Sequence, residues 1–190
     1  MPITKPGERK LQILQALASM LENPKGEKIT TAALAAKIDV SEATLYRHFA
    51  SKAQMFEGLI EFIESTVFGL INQITQEHKD GRTQAHSISM MLLGFAERNA
   101  GMTRVLIGDA LVNEDERLQA RMNQFLDRIE LAFKQALREA VVQGSVPENE
   151  IVLRANLLTN LILGRWQRYA KTGFKALPTL HASAQISLLL

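Results

Sequence analysis

The sequence predicts an all-α protein in which a small three-helix head precedes a larger helical body. Apolar residues recur at intervals of three and four along most of the 190 positions, which is the spacing of a buried helix face. No stretch shows the sustained alternation of a half-buried strand. Breaks at residues 78–81, 100–101 and 143–144 divide the pattern into separate helices. Hydrophobic residues make up 46% of the chain, enough to fill a sizeable core.

The predicted head covers residues 1–52 and ends in two short helices. Thr30 can cap the first of these helices, and Ser41 can cap the second, which ends near Phe49. The turn between them is tight, so residues 30–49 form a helix-turn-helix candidate.

A long fourth helix leads from the head into the predicted body, residues 53–190. Ser51 can cap this helix, and Gln54 three positions later completes a capping box. Farther along, the apolar stripe from Leu118 to Leu137 has a spacing close to that of a coiled-coil seam.

This stripe is either the protomer's own core or a dimer seam. A second apolar helix, at residues 151–169, supplies the partner that a dimer needs. We therefore predict a homodimer. The expected interface residues are Leu118, Met122, Phe125, Ile129, Leu158, Ile162 and Trp166.

Positive charge is concentrated in the head. The net charge is only +2, but residues 5–52 carry eight basic and five acidic residues, against fourteen and fifteen in the rest of the chain. The head is therefore the part that would bind a polyanion.

The sequence lacks the patterns of an enzyme, a cofactor site or a metal site. There is no cysteine, the four histidines show no metal-binding spacing, and we find no nucleophile elbow or phosphate loop. The N-terminus has no apolar segment of signal-peptide length, and no apolar run could span a bilayer. We therefore expect a non-enzymatic cytoplasmic protein without cofactor, metal or membrane contact.

The second of the two short helices presents hydroxyl groups, rings and cations opposite its apolar side. Such groups suit phosphates and base edges, although spacing alone leaves an ordinary helical hairpin with a polar face as the alternative. We expect Tyr46, His48 and Lys52 to contact phosphates and Thr44 to reach a base edge. The predicted DNA-binding residues are Thr30, Thr31, Ser41, Thr44, Tyr46, Arg47, His48 and Lys52.

The run Leu45-Tyr-Arg-His-Phe-Ala-Ser-Lys52 resembles the signature of the TetR family of bacterial regulators. In that family an aromatic-rich recognition helix is followed by Ser-Lys and a long connecting helix. Body segments 55–64, 92–106 and 117–125 resemble the branch of the family that acts in nucleoid occlusion. The resemblance implies a TetR-like fold, binding to specific sites on double-stranded DNA, and a dimer built on the last long helices of the body.

The resemblance also implies a protein partner and a location. Members of this branch stay with the nucleoid and, while bound to DNA, engage the tubulin-like division GTPase FtsZ and stop its rings from assembling. Phe62, Gly94, Arg98 and Asn99 match the FtsZ-binding pattern. Each of these residues also has a structural alternative. Phe62 could pack in the core, Gly94 could allow close helix packing, and Arg98 and Asn99 could end a helix.

A TetR-type transcriptional repressor released by a small-molecule ligand is the other functional hypothesis. It predicts a sizeable body cavity with a few convergent polar groups. The body helices are rich in Leu, Met and Phe and have few polar candidates for such a cavity, which argues mildly against a polar inducer.

Overall fold

Helices account for the regular structure in residues 7–23 and 29–190, the parts of the chain that this computed structural model describes. The all-α prediction is confirmed. None of the helices in these ranges is both long and apolar enough to cross a bilayer. In chain order the helices are α1 (Glu8–Leu21), α2 (Thr31–Lys37), α3 (Glu42–His48), α4 (Lys52–Glu77), α5 (Gly81–Arg98), α6 (Ala100–Leu106), α7 (Glu116–Val142), α8 (Ile151–Lys171) and α9 (Ala182–Leu189), with 3-10 turns at Asp109–Leu111 and Glu148–Glu150.

The predicted caps start the helices of the head. The Thr30 hydroxyl accepts the Ala33 N–H at 3.1 Å, and the Ser41 hydroxyl accepts the Thr44 N–H at 3.2 Å. Each cap satisfies a backbone donor that the first turn leaves unpaired.

Helix α4 begins with the same device. The Ser51 hydroxyl accepts the Gln54 N–H at 3.2 Å, and the Gln54 side chain accepts the Ala50 N–H at 2.8 Å. The second bond lies one residue earlier than in the capping box that the sequence predicts. It still closes the turn between α3 and α4.

The head has a small apolar core. Leu34 of α2 and Leu45 of α3 are fully buried, together with Leu17 of α1. Asp39 makes the turn between α2 and α3 with a φ of 54°, a left-handed conformation that aspartate tolerates better than most residues. The two short helices are therefore fixed against α1.

The head packs on α4 and α6 through two glycines. A Cβ on Gly58 of α4 would lie 3.1 Å from the Phe49 ring and 3.4 Å from Leu14. A Cβ on Gly101 of α6 would lie 1.9 Å from the carbonyl oxygen of Ala18 in α1. The sequence predicts a helix break at residues 100–101, but the break falls at Asn99, and Gly101 instead lets α6 approach α1.

Helices α4 and α7 lie side by side and are joined by charged side chains. Arg121 binds Glu64 through two hydrogen bonds, of 3.1 and 2.7 Å. The Arg128 guanidinium lies 3.7 Å from the centre of the Phe68 ring, which also packs edge-on against Phe125. The long helix that leaves the head is thus held along the body.

The predicted dimer-interface residues lie in the protomer's own core, which corrects the sequence-based assignment. The stripes of α7 and α8 face each other and α5, and the Trp166 indole N–H donates to the Leu92 carbonyl at 3.3 Å. An apolar stripe shows only that a helix face is covered, not by which chain. The seven residues, each at most 1% exposed, are Leu118, Met122, Phe125, Ile129, Leu158, Ile162 and Trp166.

The contact between α1 and α6 predicts the effect of a methyl group. Gly101→Ala should lower the free energy of unfolding by about 1–3 kcal/mol, because the new Cβ overlaps the Ala18 carbonyl. Gly69→Ala is the matched control: a Cβ there meets nothing within 4 Å, and alanine favours the helix by up to ~1 kcal/mol. Urea unfolding followed by circular dichroism measures both changes. A Gly101→Ala protein as stable as the unaltered chain contradicts the close packing.

Candidate nucleic-acid and partner-binding surfaces

Helix α3 turns its polar side to solvent. Ser41, Tyr46 and Arg47 are exposed, with Tyr46 at 47%, while Thr44 and His48 are half-buried. The apolar side of the same helix lies on the head core. On α3, Ser41, Tyr46 and Arg47 are therefore uncovered, and a major groove is wide enough to admit such a helix.

Side-chain hydrogen bonds order this surface. The Ser41 and Thr44 hydroxyl groups lie 3.0 Å apart, and the Arg47 guanidinium donates to the Thr44 hydroxyl at 2.9 Å. Thr44 thus joins the cap of α3 to a cation one turn later. A guanidinium held in this way has its remaining N–H groups directed by a fixed neighbour, which favours recognition of a phosphate or of guanine.

Thr30 and Thr31 have different local roles. Thr30 caps α2, whereas the Thr31 hydroxyl donates to the Glu42 carboxylate at 2.5 Å. Glu42 is the exposed first residue of α3. It is not among the predicted DNA-binding residues, because a carboxylate repels phosphates whereas hydroxyl groups and cations bind them.

Lys52 is bound within the protomer. Its ammonium forms an ion pair with Glu114, which precedes α7, and lies 5.7 Å from the centre of the Phe56 ring. The phosphate contact expected of Lys52 therefore competes with Glu114. Because the two residues are 62 positions apart, local spacing gave no sign of this pair.

The four residues predicted to bind a protein partner lie on α4 and at the end of α5. Phe62 of α4 is 40% exposed, so the alternative that placed it in the core is wrong. Gly94 of α5 lies beneath Arg98: a Cβ on the glycine would lie 3.3 Å from the guanidinium. Arg98 is exposed, and the Asn99 side chain donates to the Phe95 carbonyl at 2.7 Å, which closes the end of α5.

Two family models match the chain. "Bacterial regulatory proteins, tetR family" matches residues 26–59, which include α2 and α3. "Tetracyclin repressor-like, C-terminal domain", of SlmA-like type, matches residues 79–190. A TetR transcription regulator from Haloarcula marismortui superposes with a TM-score of 0.81 at 14% identity over 97% of each chain. The stearoyl-CoA complex of FadR from Bacillus subtilis gives 0.76 at 14% identity over 94% of this chain and 96% of that one.

The fold and the exposed helix-turn-helix define a TetR-type regulator, a class of DNA-binding proteins that are typically dimers. Relatives from several bacteria carry the name nucleoid occlusion factor SlmA. The protein from Idiomarina loihiensis is 52% identical over 93% of this chain and 91% of its own length. The protein from Alteromonas mediterranea is 49% identical over 94% and 92%. The chain therefore belongs to the SlmA family of nucleoid occlusion factors.

The hypothesis of a ligand-released repressor is not favoured by these relatives. The structure has clefts of about 540 and 590 Å³ at the surface of the body, on either side of α8. Large side chains fill the interior of the body, and Phe125, Phe133 and Trp166 are inaccessible to solvent. A ligand could occupy the positions of these three side chains only by displacing them.

The Lys52–Glu114 pair predicts how DNA affinity responds to a distant carboxylate. Glu114→Gln should strengthen binding to any duplex several-fold, because it frees the ammonium of Lys52 to contact a phosphate. The slope of the logarithm of affinity against the logarithm of salt concentration should become steeper by about one unit, the effect of one added phosphate contact. Lys52→Ala should do the reverse. Fluorescence anisotropy at two salt concentrations measures both. Glu116→Gln, which removes an exposed carboxylate two positions away, is the control, and equal affinities for Glu114→Gln and Glu116→Gln contradict the competition.

Proposed function

We propose that the chain acts as a homodimer that binds specific sites on the chromosome and, while bound, inhibits FtsZ ring assembly over the nucleoid. The head, residues 1–52, binds DNA, and the body, residues 53–190, dimerises and carries the FtsZ surface. The observation that carries this proposal is the exposed, hydrogen-bonded polar side of α3. The identity of about half to proteins named nucleoid occlusion factor supports the role in division control.

On α3, some residues are proposed to position the helix on the DNA and others to recognise its sequence. The exposed ring of Tyr46 and the half-buried imidazole of His48 contact phosphates, which fix the register of the helix on the duplex. Arg47 and Thr44 reach base edges, since the guanidinium can bind guanine through two hydrogen bonds. Lys52 leaves Glu114 and binds a phosphate, which adds a contact that does not depend on the DNA sequence.

A different face of α7 and α8 supports dimerisation. Leu131, Leu153 and Leu157 are 47%, 58% and 41% exposed. Asn156 donates to Glu130 at 3.4 Å, which places the outer edges of α7 and α8 side by side. Gly164 of α8 has no neighbour within 4 Å of an added Cβ. A glycine in mid-helix lowers helix stability by about 1 kcal/mol relative to alanine. A second copy that packs closely against Gly164 would explain why a glycine is found there.

The proposed FtsZ surface combines an exposed ring with an exposed cation. Phe62 projects from α4, and Arg98 ends α5 while covering Gly94. Arg98 has no ion-pair partner among residues 7–23 and 29–190. Aromatic residues and arginines are enriched in protein interfaces, and arginine is enriched among the positions that carry most of the binding energy. Asn99 keeps the end of α5 in place for this contact.

The proposal predicts that DNA binding and FtsZ binding are separable. Arg98→Ala should weaken binding of fluorescently labelled FtsZ to the DNA-bound protein by at least tenfold, and should leave DNA affinity unchanged, because Arg98 lies outside the head. Arg82→Ala removes an exposed arginine from the other end of α5 and is the control. If both variants bind FtsZ equally well, the assignment of this surface is wrong.

The dimer face is tested by a charge at its centre. Leu157→Glu should convert the dimer to a monomer at micromolar concentration, because it buries an unpaired carboxylate between two copies. Light scattering coupled to size-exclusion chromatography measures the mass. Val112→Glu charges another exposed apolar side chain, at 65% exposure, and should leave the dimer intact. A dimeric Leu157→Glu protein places the interface elsewhere.

A further inference from the structure

Helix α3 carries a carboxylate on the surface that is proposed to bind DNA. Glu42 is its first residue, and it is exposed next to Ser41 and Ala43, which are also exposed. Thr31 of α2 donates a hydrogen bond of 2.5 Å to one carboxylate oxygen, Oε2. For the other oxygen, the parts of the chain that the structure describes provide neither a hydrogen bond nor a cation.

A carboxylate without a neighbouring cation at this place opposes DNA binding in general. The phosphates are anionic, and most of the affinity of a DNA-binding protein for any duplex comes from cations that neutralise them. Glu42 lies one turn before Tyr46 on α3, so its charge acts against the phosphate contact that is proposed for Tyr46. A residue that weakens binding to every sequence can still increase the preference for one of them.

The bases differ in what they offer a carboxylate in the major groove. A carboxylate only accepts hydrogen bonds. Cytosine presents an amino donor there, guanine presents two acceptors, and thymine presents an acceptor and a methyl group. Adenine has a donor beside an acceptor, so it fits less well than cytosine. The hydrogen bond from Thr31 holds one oxygen between α2 and α3, and leaves the other to meet a base.

We propose that Glu42 selects cytosine in the DNA site by accepting a hydrogen bond from its amino group, and that Thr31 positions the carboxylate for this contact. The inference rests on the proposed function, since it assumes sequence-specific binding through α3. It adds a discriminating anion to a surface otherwise made of hydroxyl groups, rings and cations.

The test begins with the unaltered protein and a pool of random duplexes, from which the bound sequences are enriched and aligned. Each base pair of the enriched site is then replaced in turn, and dissociation constants are measured for the unaltered chain and for Glu42→Gln. Glutamine keeps the length of the side chain and an oxygen that can accept from Thr31, but loses the charge. Thermal unfolding verifies that the variant folds.

Replacement of one particular cytosine should weaken binding of the unaltered chain by about 5-fold to 150-fold, the range for loss of a good base contact. The same replacement should cost Glu42→Gln less than 2-fold, while its affinity for unrelated duplexes rises several-fold. Thr31→Val should reduce the cytosine preference by a smaller factor, because the carboxylate is then unanchored. Glu116→Gln, which removes an exposed acid from the first turn of α7, should behave like the unaltered chain.

Two outcomes overturn the inference while leaving specific DNA binding intact. In one, Glu42→Gln retains the full cost of replacement at every base pair. In the other, the affinity of Glu42→Gln rises by the same factor for every duplex, which would mean that the carboxylate only repels phosphates. If no sequence is enriched by the unaltered protein, the proposed function itself fails, and the inference fails with it.

Discussion

Helix α4 packs against both the head and the body, and the two candidate surfaces depend on its position. At about 1.5 Å per residue its 26 residues extend for about 39 Å. Near its start, Gly58 lies against the ring of Phe49 in the head. Two turns later Glu64 is bound by Arg121 of α7. Because one unbroken helix makes both contacts, the orientation of α3 is tied to the body.

Buried apolar side chains hold this helix along its length, from Met55 and Phe56 near the head onward, and ion pairs add to them. The body end is fixed mainly by buried apolar side chains such as Ile63 and Val67, and each large buried side chain contributes about 1.5–3 kcal/mol. The ion pairs with α7 are partly exposed, and such pairs contribute about 0–1 kcal/mol. They set the lateral alignment of α4 more than its stability. At the head end, Lys52 pairs with Glu114, so the proposed phosphate contact of Lys52 would break a link to the loop before α7.

Local chemistry made much of this structure predictable. A short polar side chain before an apolar pattern satisfies the free N–H groups of a helix. This rule predicts Thr30, Ser41 and Ser51 as caps, and all three act in that way. The exposed polar side of α3 was predictable from its apolar side. Because Leu45 and Phe49 face the head core, Tyr46 and Arg47 face solvent.

Contacts between distant segments were not predictable. The stripe that includes Leu118 and Phe125 is the same whether a helix of its own chain or of another copy covers it, and the dimer assignment therefore chose the wrong neighbour. Phe62 stands among apolar residues in the sequence, yet no helix packs over its side of α4 closely enough to bury it. The pairing of Lys52 with Glu114 depends on the return of the chain after α6. Each of these features is decided by tertiary packing.

The central claim is that DNA binding switches on an action against FtsZ polymers. It is tested most directly by sedimentation of preassembled FtsZ polymers with the unaltered protein, alone, with an enriched duplex, and with a shuffled duplex of equal length and composition. The account predicts that the polymer mass falls markedly only when the enriched duplex is present. An equal loss under all three conditions, or no loss under any of them, contradicts it.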